Sequence, residues 1–303
     1  MLRRQPLDDG PRTVEEASTL PTPRAHNVWS WSVAATIVVA ATGAAGAEDN
    51  LAAQARDPTA AITAFQIRYD WTTSFHNAPG QDMGSIVFQP IIPFKLGEQR
   101  HIARITVPYV THAPDLARAG TSIDQNPVPP DYIPTSRKDG MADSALLDVR
   151  IFDQPWGRLG VGGVLSVPTA TDDALGTGKW SLGPALVGIS RHGNWQYGLL
   201  GMGLFSVAGE SDRPSVSALT LQPFASYDLG GGWSVGLSEL SYTYNLRQGS
   251  WADVPVGARL EKLIRIGGQP VRLFVDAEYN LRNDDIAPKW TFRFAFIPLI
   301  GAK

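Results

Sequence analysis

Between Phe65 and Phe75 the chain alternates with a period of two. Phe65, Ile67, Tyr69, Trp71 and Phe75 hold one set of positions, and Gln66, Arg68, Asp70, Thr72 and Ser74 the other. Successive side chains of an extended strand point to opposite faces, so 62–76 predicts a strand with one apolar and one polar face. The pattern returns at 271–280, where Val271, Leu273, Val275, Ala277 and Tyr279 oppose Arg272, Asp276, Glu278 and Asn280. It returns again near the end, with Trp290, Phe292, Phe294 and Phe296 against Thr291, Arg293 and Ala295. Further stretches read as strands at 83–94, 100–110, 143–153, 158–168, 179–190, 195–207, 216–228, 233–246 and 254–266. The expected fold is therefore all-β, with about twelve strands. Alternation weakens in 195–207 and 233–246, where the apolar set changes face partway and a β-bulge is expected.

Composition narrows the class. Gly (30) and Pro (23) both exceed their average usage of about 7% and 5%, which disfavours helical bundles. Hydrophobic residues at 43% argue against disorder. The net charge of −3 offers no basic surface for a nucleic-acid backbone, and no nucleic-acid partner is expected. With no Cys there is no disulfide, thiolate metal site or Cys nucleophile.

The N-terminus reads as targeting. Val28 to Ala45 carries no charge, and Ala45-Gly46-Ala47 precedes Glu48-Asp49, the small-x-small pattern of a signal-peptidase site. Residues 1–47 are expected as an extension and cleaved signal, 48–61 as a periplasmic segment, and 62–303 as the barrel; an uncleaved anchor is the other reading of the run. No stretch after Glu48 is long and apolar enough for a transmembrane helix. An exported chain of this kind spans a membrane only as a closed β-barrel.

Connection lengths agree with an up-and-down barrel. Short turns fall at Lys95–Gln99, Asp153–Pro155, Arg191–Asn194, Gly230–Gly232 and Gly267–Pro270. They alternate with longer polar links at 77–82, 111–142, 169–178, 208–215, 247–253 and 281–289. In outer-membrane barrels short turns face the periplasm and long loops face outside. Trp156, Trp195 and Trp233 follow short turns, while Trp180, Trp251 and Trp290 end long ones. These six are expected as aromatic girdles at the two membrane interfaces.

If the aromatic face meets lipid, the alternate face lines the lumen. It carries Arg68, Asp70, Gln89, Arg104, Asp148, Arg150, Arg259, Glu261, Arg272, Asp276, Glu278 and Arg293. Opposite charges on neighbouring strands are expected to pair and stiffen the wall. Arg68, Arg104, Arg150, Arg259 and Arg293 are also candidates for a cationic pore lining. Twelve strands fall between the filled eight-stranded barrel and the open sixteen-stranded one, so a narrow pore is expected. The aperiodic, Pro-rich 111–142 either constricts the mouth or forms a mobile external loop.

Catalytic motifs are sparse. The five His are His26, His76, His101, His112 and His192, and none forms H-E-x-x-H; no metal or cofactor is expected. Gly176-Thr177-Gly178-Lys179 fails as a phosphate loop because Asp173 and Trp180 stand where it needs Gly and Ser or Thr. No G-x-S-x-G elbow occurs. Ser74, His76 and Asn77 are the residues a lipase on a barrel wall would have to use.

Several segments together carry a family resemblance. They include Phe88-Gln89-Pro90-Ile91-Ile92-Pro93-Phe94, Val167-Pro168-Thr169-Ala170-Thr171-Asp172 and Leu175-Gly176-Thr177-Gly178-Lys179-Trp180-Ser181-Leu182-Gly183-Pro184. Further ones are Asp212-Arg213-Pro214, Leu221-Gln222-Pro223-Phe224, Gly231-Gly232-Trp233, Trp251 to Gly257, Arg265 to Val271 and Trp290 to Phe294. As a set they resemble the outer-membrane family named for the meta-pathway of phenol degradation, whose members carry the labels "transporter" or "neuromedin U". The resemblance spans nearly all of 62–298. It implies a Gram-negative outer-membrane barrel that meets lipid, is inserted by the barrel-assembly machinery and passes small solutes, aromatic ones among them. Two departures stand out: 111–142 is longer than the family pattern, and the chain ends Ile300-Gly301-Ala302-Lys303 instead of on an aromatic, for which Phe296 would stand in.

The sequence thus predicts an outer-membrane pore or transporter for small molecules, not an enzyme. An outer-membrane lipid-modifying enzyme and a soluble periplasmic ligand-binding barrel are the alternatives.

Overall fold

The computed structural model describes residues 45–115, 136–283 and 286–301. A helix, α1 (Ala45–Arg56), precedes fifteen β segments. These are β1 (Thr63–His76), β2 (Met83–Leu96), β3 (Gln99–Pro114), β4 (Arg137–Met141), β5 (Ser144–Gln154), β6 (Gly157–Val167), β7 (Lys179–His192) and β8 (Trp195–Gly209). They continue as β9 (Ser217–Gly230), β10 (Trp233–Leu237), β11 (Tyr242–Asn245), β12 (Ser250–Asp253), β13 (Pro255–Ile266), β14 (Gln269–Asn280) and β15 (Ala287–Ile300). Three wall strands are each built from two segments, β4 with β5, β10 with β11 and β12 with β13, which gives twelve strands in all.

All neighbours are antiparallel, and the sheet closes on itself. β1 pairs with β15 from Thr63↔Ile300 through Ile67↔Phe296 and Asp70↔Arg293 to His76↔Ala287. Closure leaves no edge strand and pairs the backbone groups along the wall, the condition for crossing a bilayer with strands.

The two faces separate sharply. Ile67, Leu182, Leu186, Val275 and Phe294 expose between 47 and 54% of their surface, while Ser181 and Ile297 expose 1% or less. Large apolar side chains stand outward on every side of the barrel and small, polar or packed ones stand inward. A soluble barrel has the reverse arrangement, so the periplasmic binding-protein alternative fails here. The fold is an outer-membrane β-barrel, and its outward apolar belt is the surface that lipid covers.

The ends differ as expected. Two-residue turns join β2–β3, β5–β6, β7–β8, β9–β10 and β13–β14. Gly231 and Gly232 have φ of +56° and +77°, and Gly267 and Gly268 have +57° and +85°. Positive φ at both central positions is what a type I′ hairpin turn requires, and Gly adopts it without strain. Trp156, Trp180, Trp195, Trp233, Trp251 and Trp290 are all exposed, by 41 to 51%. Trp195 packs edge-on against Tyr227 at 5.1 Å and Trp251 against Tyr244 at 5.2 Å, ring to ring.

Two irregularities fall where alternation weakens, and others lie in regular stretches, as at Thr72–Phe75 of β1 and Gly84–Ser85 of β2. Trp180 faces Ala208 but Ser181 faces Ser206, so Val207 is the extra residue of a bulge. The stretch 233–246 breaks between β10 and β11, at residues 238–241. The expected loop 111–142 is shorter than predicted: β3 runs on to Pro114 and pairs with Arg137 of β4. Residues 116–135, where a mouth-constricting or mobile loop was expected, lie outside the described residues. So do residues 1–44, which hold most of the expected signal.

Within the segment 48–61, Leu51 and Ala52 pack against the inside of the barrel. The segment's Ala-rich sequence favours a helix. Asp57-Pro58 ends it, with the Asp57 carboxylate accepting from the Thr59 N–H at 2.7 Å and its hydroxyl at 2.6 Å. Leu51 and Ala52 pack with Ile62, Ala64, Leu263, Phe274, Ala295, Ile297 and Leu299, which line the inside of β13, β14, β15 and β1. Burial of a leucine side chain contributes about 2 kcal/mol.

Candidate functional site

The lumen has two unlike walls. On β13, β14, β15 and β1, beyond the apolar patch that seats α1, the inward face carries a group of ionised side chains. The Arg68 guanidinium donates to both Asp70 oxygens, at 2.5 and 2.7 Å. Arg259 donates to Asp276 at 2.7 Å and stacks over the Phe274 ring at 3.5 Å. Arg293 donates to both Glu278 oxygens, at 3.0 and 2.9 Å, and to Asp276 at 3.4 Å. These residues are adjacent because the strand register places Asp70 opposite Arg293, Arg293 opposite Asp276 and Asp276 opposite Arg259. Cross-strand opposites of unlike charge stiffen a sheet, and here they form one connected ladder.

Glu239 ties that ladder across the interior. It stands in the break between β10 and β11, where the chain leaves the wall. Its carboxylate accepts from Arg68 on β1 and lies 3.2 Å from Arg259 on β13. Gln66 adds a contact at 3.4 Å. Sequence reading passed over Glu239 because it follows Ser238 within a stretch of weak alternation. The lost period was the available signal of a break.

The opposite wall is apolar. Ile102, Leu147, Val149, Ile151, Val164, Ala185, Val187 and Leu200 form a second buried cluster from the inward faces of β3 and β5 to β8. Met202, Leu204 and Phe224 pack against it. This corrects two expectations. Asp148 and Arg150 were read as lumen-lining, but they share the outward face with exposed Leu146, while Leu147, Val149 and Ile151 face in. Asp148 pairs outside with His101 at 3.2 Å, and the Arg150 guanidinium sits 4.6 Å over the Phe152 ring. The polar set of this strand points outward because the lumen on this side is greasy.

The other predicted lumen residues face inward. Gln89 donates to Thr106 Oγ1 at 2.8 Å. Arg104 stands on the inward face of β3, at the border between the two walls. Glu261 and Arg272 lie lower, 3.8 Å apart.

At the short-turn end the C-terminal end of α1 and the turn after it are tied to the wall. Arg272 donates to the Ala55 carbonyl at 2.6 Å. Arg56 pairs with Asp228 at 2.5 Å. Arg158 reaches the Asp57 carboxylate at 2.7 Å, the Thr59 carbonyl at 3.1 Å and the Thr59 hydroxyl at 3.0 Å. Charge-assisted bonds of this kind contribute about 1.5–3 kcal/mol each. A cavity of about 470 Å³ remains beside the helix, lined by Ala53, Asp57, Ala60, Arg158, Ile189 and Gln196.

His76 and Asn77, which a lipase would use with Ser74, each bond to a backbone carbonyl. His76 is buried, and its Nε2 donates to the Asn280 carbonyl at 2.8 Å. Asn77 donates to the Asn283 carbonyl at 2.8 Å.

No family model matches the sequence, and no curated protein matches it. Among solved structures the chain is similar to the COG4313 outer membrane channel from Pseudomonas putida F1. The TM-score is 0.56 at 14% identity, over 79% of this chain and 96% of that one. It also aligns with outer membrane phospholipase A from Escherichia coli (TM-score 0.41, 14% identity, 80% and 93% covered). OmpF from Salmonella typhi aligns at 0.32 with 12% identity over 79% and 96%. The first likeness supports the barrel fold; the other two scores are too low to bear on function.

Proposed function

We propose that this chain is an outer-membrane channel for the passive passage of small molecules, with apolar and aromatic solutes favoured. The observation that carries the reading is the two-sided lumen: an apolar inner wall faces a ladder of ionised groups. Ligand sites are mostly apolar with a few well-placed polar groups. A wall of this kind gives an apolar solute a surface to slide along, while the paired ladder holds the barrel open in cross-section. The cavity beside α1 supplies a continuation toward the short-turn end. On this reading 1–47 is a cleaved leader, the barrel-assembly machinery inserts 62–303, and the chain groups with the meta-pathway family it resembles.

The test is purification in detergent and reconstitution into planar bilayers and liposomes. The expected result is a small single-channel current and uptake of small neutral aromatics, both rising several-fold when 48–60 are deleted. Absence of current and uptake from both the native chain and the deletion variant sinks the channel reading.

A further inference from the structure

Arg104 differs from the other inward arginines. Arg68, Arg259, Arg272 and Arg293 each have a carboxylate within 4 Å. Among the described residues Arg104 makes no ion pair and no side-chain hydrogen bond, and the charges that act on it are Glu239, attractively, and Arg68, repulsively. Glu239 is already engaged by Arg68 and Arg259. Arg104 is half-buried and stands on the inward face of β3.

Its surroundings are apolar on three sides. Across the sheet it faces Ile91 on β2 and Leu147 on β5. Ile102 precedes it on the same face of β3, and Ile102 and Leu147 belong to the apolar wall against which Ile91 packs. Thr106 follows it on that face. Its Oγ1 accepts from Gln89, which leaves the hydroxyl proton to donate elsewhere.

We propose that Arg104, with the Thr106 hydroxyl and the apolar wall of Ile91, Ile102 and Leu147, is a recognition site for small organic carboxylates with an apolar body, such as arene carboxylates. The guanidinium fork takes the two carboxylate oxygens, and the ring lies on the aliphatic side chains. The site deepens the channel reading, on which its position along a solute path rests. An unpaired cation enclosed by a barrel attracts an anion more strongly than it would in bulk water, and the apolar wall selects against fully hydrated inorganic anions.

The experiment uses the full chain in detergent, with binding followed by calorimetry for benzoate, its neutral analogue benzamide, and acetate. Benzoate is expected to bind at least about tenfold tighter than either, one charge-assisted contact being worth that much. Arg104→Met is expected to bring benzoate to the benzamide level and leave benzamide unchanged, and Arg104→Lys to retain part of the difference. Heat-modifiable gel migration reports folding of each variant. Equal binding of benzoate and benzamide by the native chain overturns the proposal, as does retention of the preference in folded Arg104→Met. If that variant fails to fold, the native comparison and Arg104→Lys decide. Binding requires no conduction, so a preference for benzoate in a chain that carries no current removes the channel reading and keeps the site. Current without the preference does the reverse.

Discussion

Arg68 and Glu239 lie 171 residues apart in the chain, and their side chains meet inside the barrel. Around the wall they are separated by the strands of β13, β14 and β15. The contact is a chord across part of the lumen. It exists because the ninth wall strand breaks between β10 and β11 and turns Glu239 inward.

Removing that chord should both loosen and widen the interior. Glu239→Gln leaves Arg68 and Arg259 without one of their counter-charges, and loss of one partner of an enclosed pair costs about 3 kcal/mol. The expected outcome is lower resistance to urea, larger single-channel current and a shift toward anion selectivity. Unchanged selectivity would show that the chord does not border the solute path.

The helix anchors should act as a latch. Arg158→Ala and Arg272→Ala each remove contacts to the stretch Ala55–Thr59. Each is expected to raise the open probability in bilayers, and together more than either alone. Equal currents in the native chain and the double variant would mean that α1 does not limit flow.

At the long-loop end, acid should free the start of β4. Lys138 donates to Asp172 at 2.8 Å, and that bond, with the Ala174 N–H, holds the Asp172 carboxyl below its usual value. Slight burial pushes Asp82 up, but the bond and charge of Arg137, helped by His112, outweigh it and hold Asp82 low as well. A carboxyl depressed in the folded state contributes stability above its unfolded pKa of about 4, and loses it as pH falls through the folded value. Hydrogen exchange of 137–141, corrected for intrinsic rates, is expected to speed up only below about pH 4 in the native chain. In Asp172→Asn and Asp82→Asn the same segment should already exchange faster at pH 6.

The outward pair His101–Asp148 sets a cost against stability. A polar pair on a surface that faces lipid is desolvated, and among the described residues His101 Nε2 has no hydrogen-bond partner. The double variant His101→Leu/Asp148→Leu is expected to gain about 1 kcal/mol in urea unfolding from lipid vesicles. A loss instead would show that the pair supports the wall.

The strand number and the alternation of turn lengths were legible, because closure and lipid impose a strict period of two. The pairing of Asp70, Arg293, Asp276 and Arg259 was legible as unlike charges on consecutive strands. The side on which Asp148 and Arg150 lie was not. A period of two separates faces but does not say which face is inside, and the rule that polar means lumen fails where the lumen is apolar. Glu239 was hidden for another reason: a break in a strand removes the very periodicity by which its residues are placed. The seating of Leu51 and Ala52 depends on strands more than two hundred residues away, which no local pattern records.

That seating has a consequence for how the molecule is made. The pocket for Leu51 and Ala52 is shared by Ala64 of the first strand and Ala295, Ile297 and Leu299 of the last. It does not exist until those two strands have met. The helix therefore works as a rivet on the seam: it takes its place only when the cylinder has joined, and once there it adds its own adhesion to the join. Chains whose rivet is damaged should close more slowly, and reopen at that seam first.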